Sequence, residues 1–561
     1  MVRSLLFFLL LSANLLAQTN WNLVWKMDQM PFQAPQTGSE MAIVKAGFDT
    51  DQDGWGEFLC AYTDLGDNYI LMYEARADNT YDTVWYFKYP LPANSFAGIA
   101  VGDIDNNGKV DIVTTMPTQV NTSNPNPARL WVFEWNGVVG ENKYGFYDSG
   151  TLQPTNTWNL NRPDNVDCRP YSLTIENMDD DPSNELVIGV RSGGRAGEVI
   201  VASVIGELGG FGSWVVEYNL SGLTGGSLYN VTTGDLDSDG KKEIYAFVWN
   251  FFTLYIIENT GTDQYALVDS LKAIYQSVGV DYGALESVRV TDVNNDGVKE
   301  MYIAATEPDN VVFVISNITD VSTITASDVK ILYRLPVNGV PGLGTGKLRS
   351  MWVADPDADN KKNLMIGGEL NGQIFDLEYK GAGSPTDSAS WEHSVLFDIY
   401  AYSGLPITSF TDVPRLFYGY PANDMDKDGR NEYVFVNYHT VFSFWSNDAY
   451  VWVIEHPTAT GIKDEVFNSP NGFILKQNYP NPFNPSTKIA WQTSADGWNT
   501  LKVFDIMGRE VAILVNEYRS AGSYEVDFST KEYKNSFESG VYFYQLKFGS
   551  NIDTRKMIVL K

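Results

Sequence analysis

Seven short segments of the sequence place oxygen-bearing side chains at every second position. Each spans nine residues, with Asp or Asn at positions 1, 3 and 5 and a carboxylate or amide at position 9. Position 6 is Gly in five of them. We number the segments loops 1 to 7; they begin at Asp49, Asp103, Asn177, Asp235, Asp292, Asp355 and Asp424.

Side-chain oxygens at positions 1, 3, 5 and 9, together with the backbone carbonyl of position 7, can surround one hard cation. Ca²⁺ takes about six to eight oxygen ligands and tolerates flexible, mixed cages that Mg²⁺ does not. The sequence therefore predicts up to seven structural Ca²⁺ ions. The predicted ligand residues are Asp49, Asp51, Asp53, Trp55 and Glu57; Asp103, Asp105, Asn107, Lys109 and Asp111; Asn177, Asp179, Asp181, Ser183 and Glu185; Asp235, Asp237, Asp239, Lys241 and Glu243; Asp292, Asn294, Asp296, Val298 and Glu300; Asp355, Asp357, Asp359, Lys361 and Asn363; and Asp424, Asp426, Asp428, Arg430 and Glu432.

The loops have two other interpretations. A helical EF-hand needs Glu at position 12, but that position holds Cys, Thr, Ile, Ala or Phe here. A turn rich in Asp and Asn without a metal is the second alternative. Loops 1, 4 and 7 carry four carboxylates at ligand positions and favour a metal, and loops 2 and 5 replace one by Asn. Loops 3 and 6 depart further, with Pro182 and Asn360 at position 6 and Asn363 closing loop 6.

The segments around the loops predict β-strands. A short apolar run precedes each loop, and an alternating run such as EFLCAY or EIYAFV follows it. Two further strand-like runs complete most repeats, so four antiparallel strands recur seven times. This is the pattern of an all-β, seven-bladed β-propeller. The last repeat lacks a fourth strand, and residues 21–27 (WNLVWKM) are predicted to fill the outer edge of the last blade.

Composition limits the possible functions. The 561 residues include 70 Asp and Glu against 39 Lys and Arg, and the formal charge of -31 disfavours binding to nucleic acid or anionic lipid. Arg3 followed by an apolar run up to Ala17 predicts a cleaved signal peptide over residues 1–17, and no later stretch predicts a transmembrane span. Cys60 and Cys168 are either a disulfide pair or two buried thiols, with thiols favoured.

Segments such as VGDIDNNGKVDIV and TGDLDSDGKKEIYAF resemble FG-GAP repeats, which build the calcium-loop propeller of the integrin α head and of many bacterial exported proteins. The resemblance covers residues 21–457. It implies that the calcium loops join the first and second strands of each blade on one face, and that partners bind the opposite face and the channel mouth.

The C-terminal segment has a second resemblance. LKQNYPNPFNPSTKI, LKVFDIMGREVAILVN and SGVYFYQLKFGSNIDTRKMIVLK resemble the type A C-terminal sorting domain of the type IX secretion system. Without the resemblance, residues 473–561 predict a small Ig-like β-sandwich of about seven strands, such as an adhesive domain. The resemblance implies that the secretion machinery is a partner, followed by surface attachment or release. The predicted domains are the propeller at 18–457, a linker at 458–472 and the sorting domain at 473–561.

Two functions remain open. No catalytic residue is predicted, because His393, His439 and His456 fall in no motif with a nucleophile. The chain is expected to be a surface binding or adhesion module for a glycan or protein; the alternative is a carbohydrate-active enzyme such as a propeller-type polysaccharide lyase. Aromatic and Arg residues of the long loops either bind sugars or pack between blades and pair with acids. They are Trp158, Tyr171, Tyr400, Tyr402, Phe410, Trp445, Arg162, Arg169, Arg191, Arg195, Arg349 and Arg415.

Overall fold

The chain divides into two compact units, Met1–Thr460 and Gly461–Lys561, in a computed structural model. In the first unit the structure describes residues 21–27, 40–64, 67–92, 96–117, 127–162, 166–179, 181–210, 212–223, 227–248, 253–271, 282–307, 310–335, 347–357, 359–369, 372–399, 402, 416, 418–437 and 451–457. In the second it describes residues 474–475, 478, 481, 483–493, 497–519, 522–531, 537–548 and 551–560. The predicted signal peptide and linker lie outside the described residues.

Antiparallel strands in groups of four, here called blades, build the first unit. Strand β1 (Asn22–Met27) precedes them. Blade 1 contains β2 (Glu40–Phe48), β3 (Glu57–Asp64), β4 (Asp67–Ala77) and β5 (Thr80–Lys88). Blade 2 contains β6 (Ile99–Gly102), β7 (Asp111–Thr115), β8 (Leu130–Glu134) and β11 (Asn156–Trp158), with a hairpin of β9 (Phe146–Asp148) and β10 (Thr151–Gln153) inserted before β11. Blade 3 contains β12 (Cys168–Glu176), β13 (Glu185–Gly193), β14 (Val199–Ile205) and β15 (Ser213–Leu220).

The remaining blades repeat this order. Blade 4 contains β16 (Leu228–Gly234), β17 (Glu243–Val248), β18 (Thr253–Gly261) and β19 (Gln264–Ser270). Blade 5 contains β20 (Tyr282–Thr291), β21 (Glu300–Glu307), β22 (Val311–Ser316) and β23 (Val329–Arg334). Blade 6 contains β24 (Lys347–Ala354), β25 (Asn363–Glu369), β26 (Gln373–Tyr379) and β27 (Trp391–Asp398), and blade 7 contains β28 (Tyr418–Ala422), β29 (Glu432–Val436) and β30 (Val451–Glu455). Short 3-10 turns occur at Val321–Thr323 and Ser388–Ser390.

The first strands of the blades form a closed circuit. Each contacts the first strand of the next blade, and β28 of blade 7 contacts β2 of blade 1. Blades 5 and 6 are further joined by one parallel bridge between Glu286 and Ser350, so that their strands form a continuous eight-stranded sheet. The all-β, propeller-like fold is therefore confirmed, and the seven four-stranded groups agree with the repeat.

Strand β1 closes the ring. It pairs antiparallel with β30 and becomes the outer strand of blade 7, as the sequence predicted. Its Trp25 ring lies 5.4 Å from the ring of Tyr73 and 5.6 Å from that of Tyr81, both in blade 1. The N-terminal strand thus adds an edge to the last blade and packs against the first.

The core lies between the blades. The second and third strands of a blade are buried on both faces, as in β17 and β30, because each blade is covered by two neighbours. Such strands need continuous apolar runs, which EIYAFV and VWVIE provide. Cys60 and Cys168 are buried free thiols in this core, so the thiol alternative is confirmed.

The second unit is a sandwich of two sheets. One contains β31 (Ile474–Leu475), β32 (Ser486–Thr493) and β35 (Gly522–Ser529), and the other contains β34 (Glu510–Arg519), β33 (Gly497–Asp505), β36 (Gly540–Phe548) and β37 (Asn551–Val559). Trp491, Leu501 and Tyr544 are buried in the core of this unit. Across the described residues of both units, no helix has the length and apolar character needed to cross a bilayer.

Candidate metal centres

All seven loops occupy the same place in their blades. Each connects the first strand to the second, and position 9 is the first residue of the second strand in every blade. Glu243, for example, begins β17 and Glu432 begins β29. This is the placement that the FG-GAP resemblance implied. Because position 9 starts a strand, its side chain has a fixed direction relative to the loop.

The backbone of each loop is wound by its own side chains, as loop 7 illustrates. The Asp424 carboxylate accepts hydrogen bonds from the backbone N–H groups of Asp428 and Gly429, both at 2.9 Å. The Asp428 carboxylate accepts from Arg430 N at 2.8 Å, and the equivalent bond from position 7 to position 5 occurs in every loop. Gly429 has φ of 89°, a conformation that favours glycine. The Asp and Asn spacing therefore creates a tight turn with the side chains on its inner side.

The turn brings the carboxylates together. In loop 4, ligand oxygens of Asp235, Asp237, Asp239 and Glu243 all lie within 4.8 Å of one another, and the four carboxylates of loop 7 converge in the same way. Three carboxylates converge in loop 1 (Asp49, Asp51, Asp53) and three in loop 2 (Asp103, Asp105, Asp111). These groups have the donor type and spacing that a divalent cation requires.

In five loops the carboxylate at position 9 has one oxygen that accepts a hydrogen bond and one buried oxygen without a donor. In loop 4, Glu243 Oε2 accepts from Leu236 N at 2.8 Å, whereas Oε1 is buried without a hydrogen-bond donor. Buried oxygens without a donor recur at position 9 in Glu57, Asp111, Glu185 and Glu432. Buried polar atoms are nearly always hydrogen-bonded, because an unmet one costs about 1 to 3 kcal/mol. A cation inside the loop would satisfy these oxygens, so the residues fit the metal that the resemblance implies.

Electrostatics leads to the same conclusion. Burial, with a smaller contribution from neighbouring carboxylates, raises the pKa of Asp49 and Asp103 to about 6. Burial likewise raises the pKa of Glu243 and Glu300 to about 7 and that of Glu185 to about 8. Without a cation, these carboxylates therefore hold protons more tightly than exposed ones do. A divalent ion would reverse that preference.

Loop 3 differs from the others. The side-chain amide of Asn177 donates to the carbonyl oxygens of Asp181 at 2.6 Å and Ser183 at 2.7 Å. The Ser183 carbonyl is the position-7 ligand predicted from the sequence, and here an N–H group occupies it. Pro182 also replaces the usual glycine. The Asn177 amide thus occupies two carbonyl oxygens of loop 3, although Glu185 Oε1 is still without a donor.

A set of acidic residues that the sequence analysis missed lies on the third strands. Because the second and third strands pair in register, the residue at position 9 faces an acid across the sheet in five blades. These pairs are Glu57 with Glu74, Asp111 with Glu134, Glu243 with Glu258, Asn363 with Glu378, and Glu432 with Glu455. Glu74 forms a converging group with Asp51 and Glu57. An acid recurring in the third strand of five of the seven repeats was the signal that could have revealed them.

The loops also link neighbouring blades. The position-3 carboxylate of five loops accepts a hydrogen bond from the next blade, always from the connection after its third strand. These bonds are Asn142 Nδ2 to Asp51 (2.9 Å), Leu208 N to Asp105 (2.7 Å), Asp263 N to Asp179 (2.5 Å), Val321 N to Asp237 (3.1 Å) and Asn79 N to Asp426 (2.6 Å). The last joins blade 7 to blade 1. A loop that keeps its conformation therefore stabilises the seam, which is the contact between two neighbouring blades.

The residues suggested for a sugar-binding face are mostly engaged within the protein. Trp158 is buried and stacks on Trp214 at 4.9 Å, and Tyr171 is buried with its hydroxyl 2.6 Å from that of Tyr418. The Arg191 guanidinium lies over the Tyr171 ring. Arg195 pairs with Glu198 and Arg169 with Asp167, Arg162 and Arg349 are buried, and Tyr402 is exposed. Tyr400, Phe410, Trp445 and Arg415 lie outside the described residues. The packing interpretation therefore holds for most of the described members.

The two described histidines lie against aromatic rings. His393 stacks between Tyr333 and Phe375, and burial lowers its pKa. His456 meets the Trp21 ring edge-on at 5.3 Å. His439 lies outside the described residues.

Comparisons with known proteins agree with both resemblances. Residues 49–114 match the family of FG-GAP-like repeats, and residues 477–560 match the secretion system C-terminal sorting domain. No curated protein matches the chain. Among solved structures, a chain in a Saccharomyces cerevisiae complex of Dbp5 with Nup159, Gle1, IP6 and ADP is similar at 8% identity, over 78% of this chain and 94% of that one, with a TM-score of 0.35. The exotype rhamnogalacturonan lyase YesX is similar at 13% identity, over 78% of this chain and 74% of that one, with a TM-score of 0.36.

The two solved structures are too distant to inform function, whereas the two family matches cover loops 1 and 2 and most of the C-terminal sandwich. The sorting domain is the signal by which type IX secretion exports its cargo to the cell surface or releases it. The chain therefore combines FG-GAP-like repeats with a type IX C-terminal sorting domain, and it is an exported protein.

Proposed function

We propose that this protein is a calcium-stabilised β-propeller that acts outside the cell as a binding module for a glycan or protein. The observation that carries the proposal is that four carboxylates converge in loops 4 and 7, and that the buried one at position 9 has an oxygen without a hydrogen-bond donor. Calcium fits these flexible oxygen cages, and its binding energy becomes folding energy.

The seams between blades explain why such ions would matter for binding. The position-3 carboxylates that would face the cation also accept hydrogen bonds from the next blade, as Asp237 does from Val321. Each ion would thus hold two blades in a fixed relation. A rigid ring leaves its connecting loops available for recognition.

The test is metal content and stability of the mature exported chain. Purified protein, dialysed against metal-free buffer, is titrated with CaCl₂ and with MgCl₂ in a calorimeter, and thermal unfolding is followed with EDTA and with calcium. We expect several sites that prefer calcium and a Tm lowered by EDTA. Absence of binding together with an unchanged Tm would contradict the calcium proposal.

The ligand is tested separately on a glycan array and with pectin-like polymers. Retention of glycans without product release supports a binding module. A rise in the ultraviolet absorbance of unsaturated uronates would instead identify a polysaccharide lyase and refute the binding-only role.

A further inference from the structure

Blade 2 carries an element that the four-stranded plan does not require. The hairpin of β9 and β10 lies between the third and fourth strands, and it turns at Ser149 and Gly150, which have φ of 49° and 82°. It accounts for part of the longest interval between loops. Its strand β9 is exposed along its whole length, with Phe146 52% and Tyr147 72% exposed. Phe146 and Tyr147 are exposed to solvent, so packing within blade 2 does not explain why aromatic residues occupy these positions.

The hairpin forms one wall of a cleft of about 540 Å³, and strand β5 of blade 1 forms the other. We call this the hairpin cleft. Buried aromatic residues support it, because the Trp85 ring packs edge-on against Phe133 at 5.3 Å and against Tyr144 at 5.6 Å. Tyr86 and Tyr147 line the cleft and are 51% and 72% exposed. The volume lies within the range of ligand sites, roughly 300 to 1,000 Å³.

The chemistry of the lining favours a sugar. Tyrosine rings offer flat apolar faces for the C–H face of a pyranose, and their hydroxyl groups can hydrogen-bond to the sugar's own. Thr151 and the ammonium groups of Lys88 and Lys143 add polar contacts along the cleft. A peptide would bind differently, because it would need the backbone edge of β5 rather than these rings.

The charges of the cleft favour a neutral sugar over an acidic one. Lys88 is paired with Asp67 at 2.6 Å, and Lys143 is paired with Glu141 at 2.8 Å. Asp67 and Glu141 therefore balance the charges of the two ammonium groups, which still have N–H groups to donate to a sugar. The formal charge of -31 on the whole chain adds a long-range repulsion of polyanions.

We propose that the hairpin cleft binds a neutral oligosaccharide, with sugar rings stacked on Tyr86 and Tyr147. This inference rests on the proposed binding function and assigns it a site and a ligand class. Asp51 of loop 1 and Glu74 of β4 hold the cleft floor, since Asn142 donates to Asp51 at 2.9 Å and to Glu74 at 2.7 Å while Tyr144 donates to Asn142 at 3.0 Å.

The experiment is calorimetric titration of the full mature chain with cellohexaose, xylohexaose, laminarihexaose and mannohexaose, and with hexagalacturonate as the anionic probe. The variants are Tyr147→Ala and Tyr86→Ala. Phe146→Ala is the matched control, because Phe146 is an exposed aromatic of the same hairpin that does not line the cleft. Thermal unfolding shows whether each variant is folded.

We expect at least one neutral hexaose to bind, Tyr147→Ala and Tyr86→Ala to weaken it on the order of tenfold, and Phe146→Ala to leave it unchanged. Neutral-glycan binding that both tyrosine variants retain would overturn the site while leaving the binding function intact. Preference for hexagalacturonate would overturn the ligand class. If none of the hexaoses binds, and the protein retains only peptides or proteins, the inference fails even though a protein-binding function survives.

Discussion

Replacing Glu243 by Gln should have opposite effects with and without calcium. The Glu243 carboxylate is fully buried, and its Oε2 accepts from Leu236 N at 2.8 Å and Tyr245 OH at 2.5 Å. Burial raises its pKa from 4.5 to about 7. One pKa unit corresponds to about 1.4 kcal/mol, so the ionised carboxylate destabilises the cation-free protein by about 3 kcal/mol at pH 8.

Glu243→Gln removes this charge while keeping the size of the side chain and an acceptor for Leu236 N. In EDTA at pH 8 the variant should therefore be more stable than the parent, by about 1 to 3 kcal/mol once local relaxation is allowed for. In calcium the order should reverse, because the variant loses a charged ligand. An ion present at 1,000 times its Kd stabilises the folded state by about 4.1 kcal/mol per site, which exceeds the advantage of the variant in EDTA, and this gain should shrink in the variant.

The assay is urea unfolding followed by tryptophan fluorescence, in EDTA and in excess CaCl₂. Glu392→Gln is the control, since Glu392 is an exposed acid on β27 of the same unit. It should change the midpoint little under either condition. If Glu243→Gln lowers stability equally in EDTA and in calcium, Glu243 is only a hydrogen-bond acceptor and the metal assignment of loop 4 is wrong.

Three other predictions follow from the loops and the closing strand. The raised pKa values of Asp49, about 6, and Glu185, about 8, mean that the folded state binds more protons than the unfolded chain. Their contribution to stability is fully present below about pH 4 and is lost once pH has risen past 6 for Asp49 and past 8 for Glu185, so Tm in EDTA should fall between about pH 4 and pH 8. In excess calcium this decline should vanish, and a flat profile in EDTA would contradict the reasoning. Deleting residues 18–28 removes β1 and should lower Tm by about 5 °C or more, measured by calorimetry, whereas an unchanged Tm would exclude a closing role. Asn142→Ala should reduce the stabilisation that calcium gives, because Asn142 holds Asp51 and Glu74 of the first centre; an equal loss of Tm in EDTA and calcium would show that the amide only supports packing.

Local sequence patterns were sufficient to predict the architecture of the first unit. Asp and Asn at alternate positions dictate the turn, since a position-5 side chain reaches only the N–H two residues later, as Asp428 does with Arg430. The alternation after each loop dictates a strand that starts at position 9. The missing fourth strand of the last repeat predicted where β1 would pair. Each inference depends on residues close in sequence or on counting strands.

The site could be predicted only in part, because its remaining groups come from distant residues. Glu258 reaches Glu243 through the register of β17 with β18, and Val321 reaches Asp237 from another blade. Neither contact can be predicted from the spacing of residues within one loop. The connections between strands vary in length, so the sequence does not show which residues of two strands or two blades lie opposite each other. The side chain of Asn177, predicted from the sequence as a metal ligand, donates its amide N–H within its own loop.

By itself, the sequence determined the turns, the strands and their sevenfold order, because these follow from side chains that act on the backbone a few residues away. The tertiary structure decided which carboxylates are buried, which acids face them from the third strands, and where an inserted hairpin leaves Tyr147 beside the wall of another blade. Burial and pairing between blades depend on how sheets far apart in the chain pack together, and no local pattern records that packing.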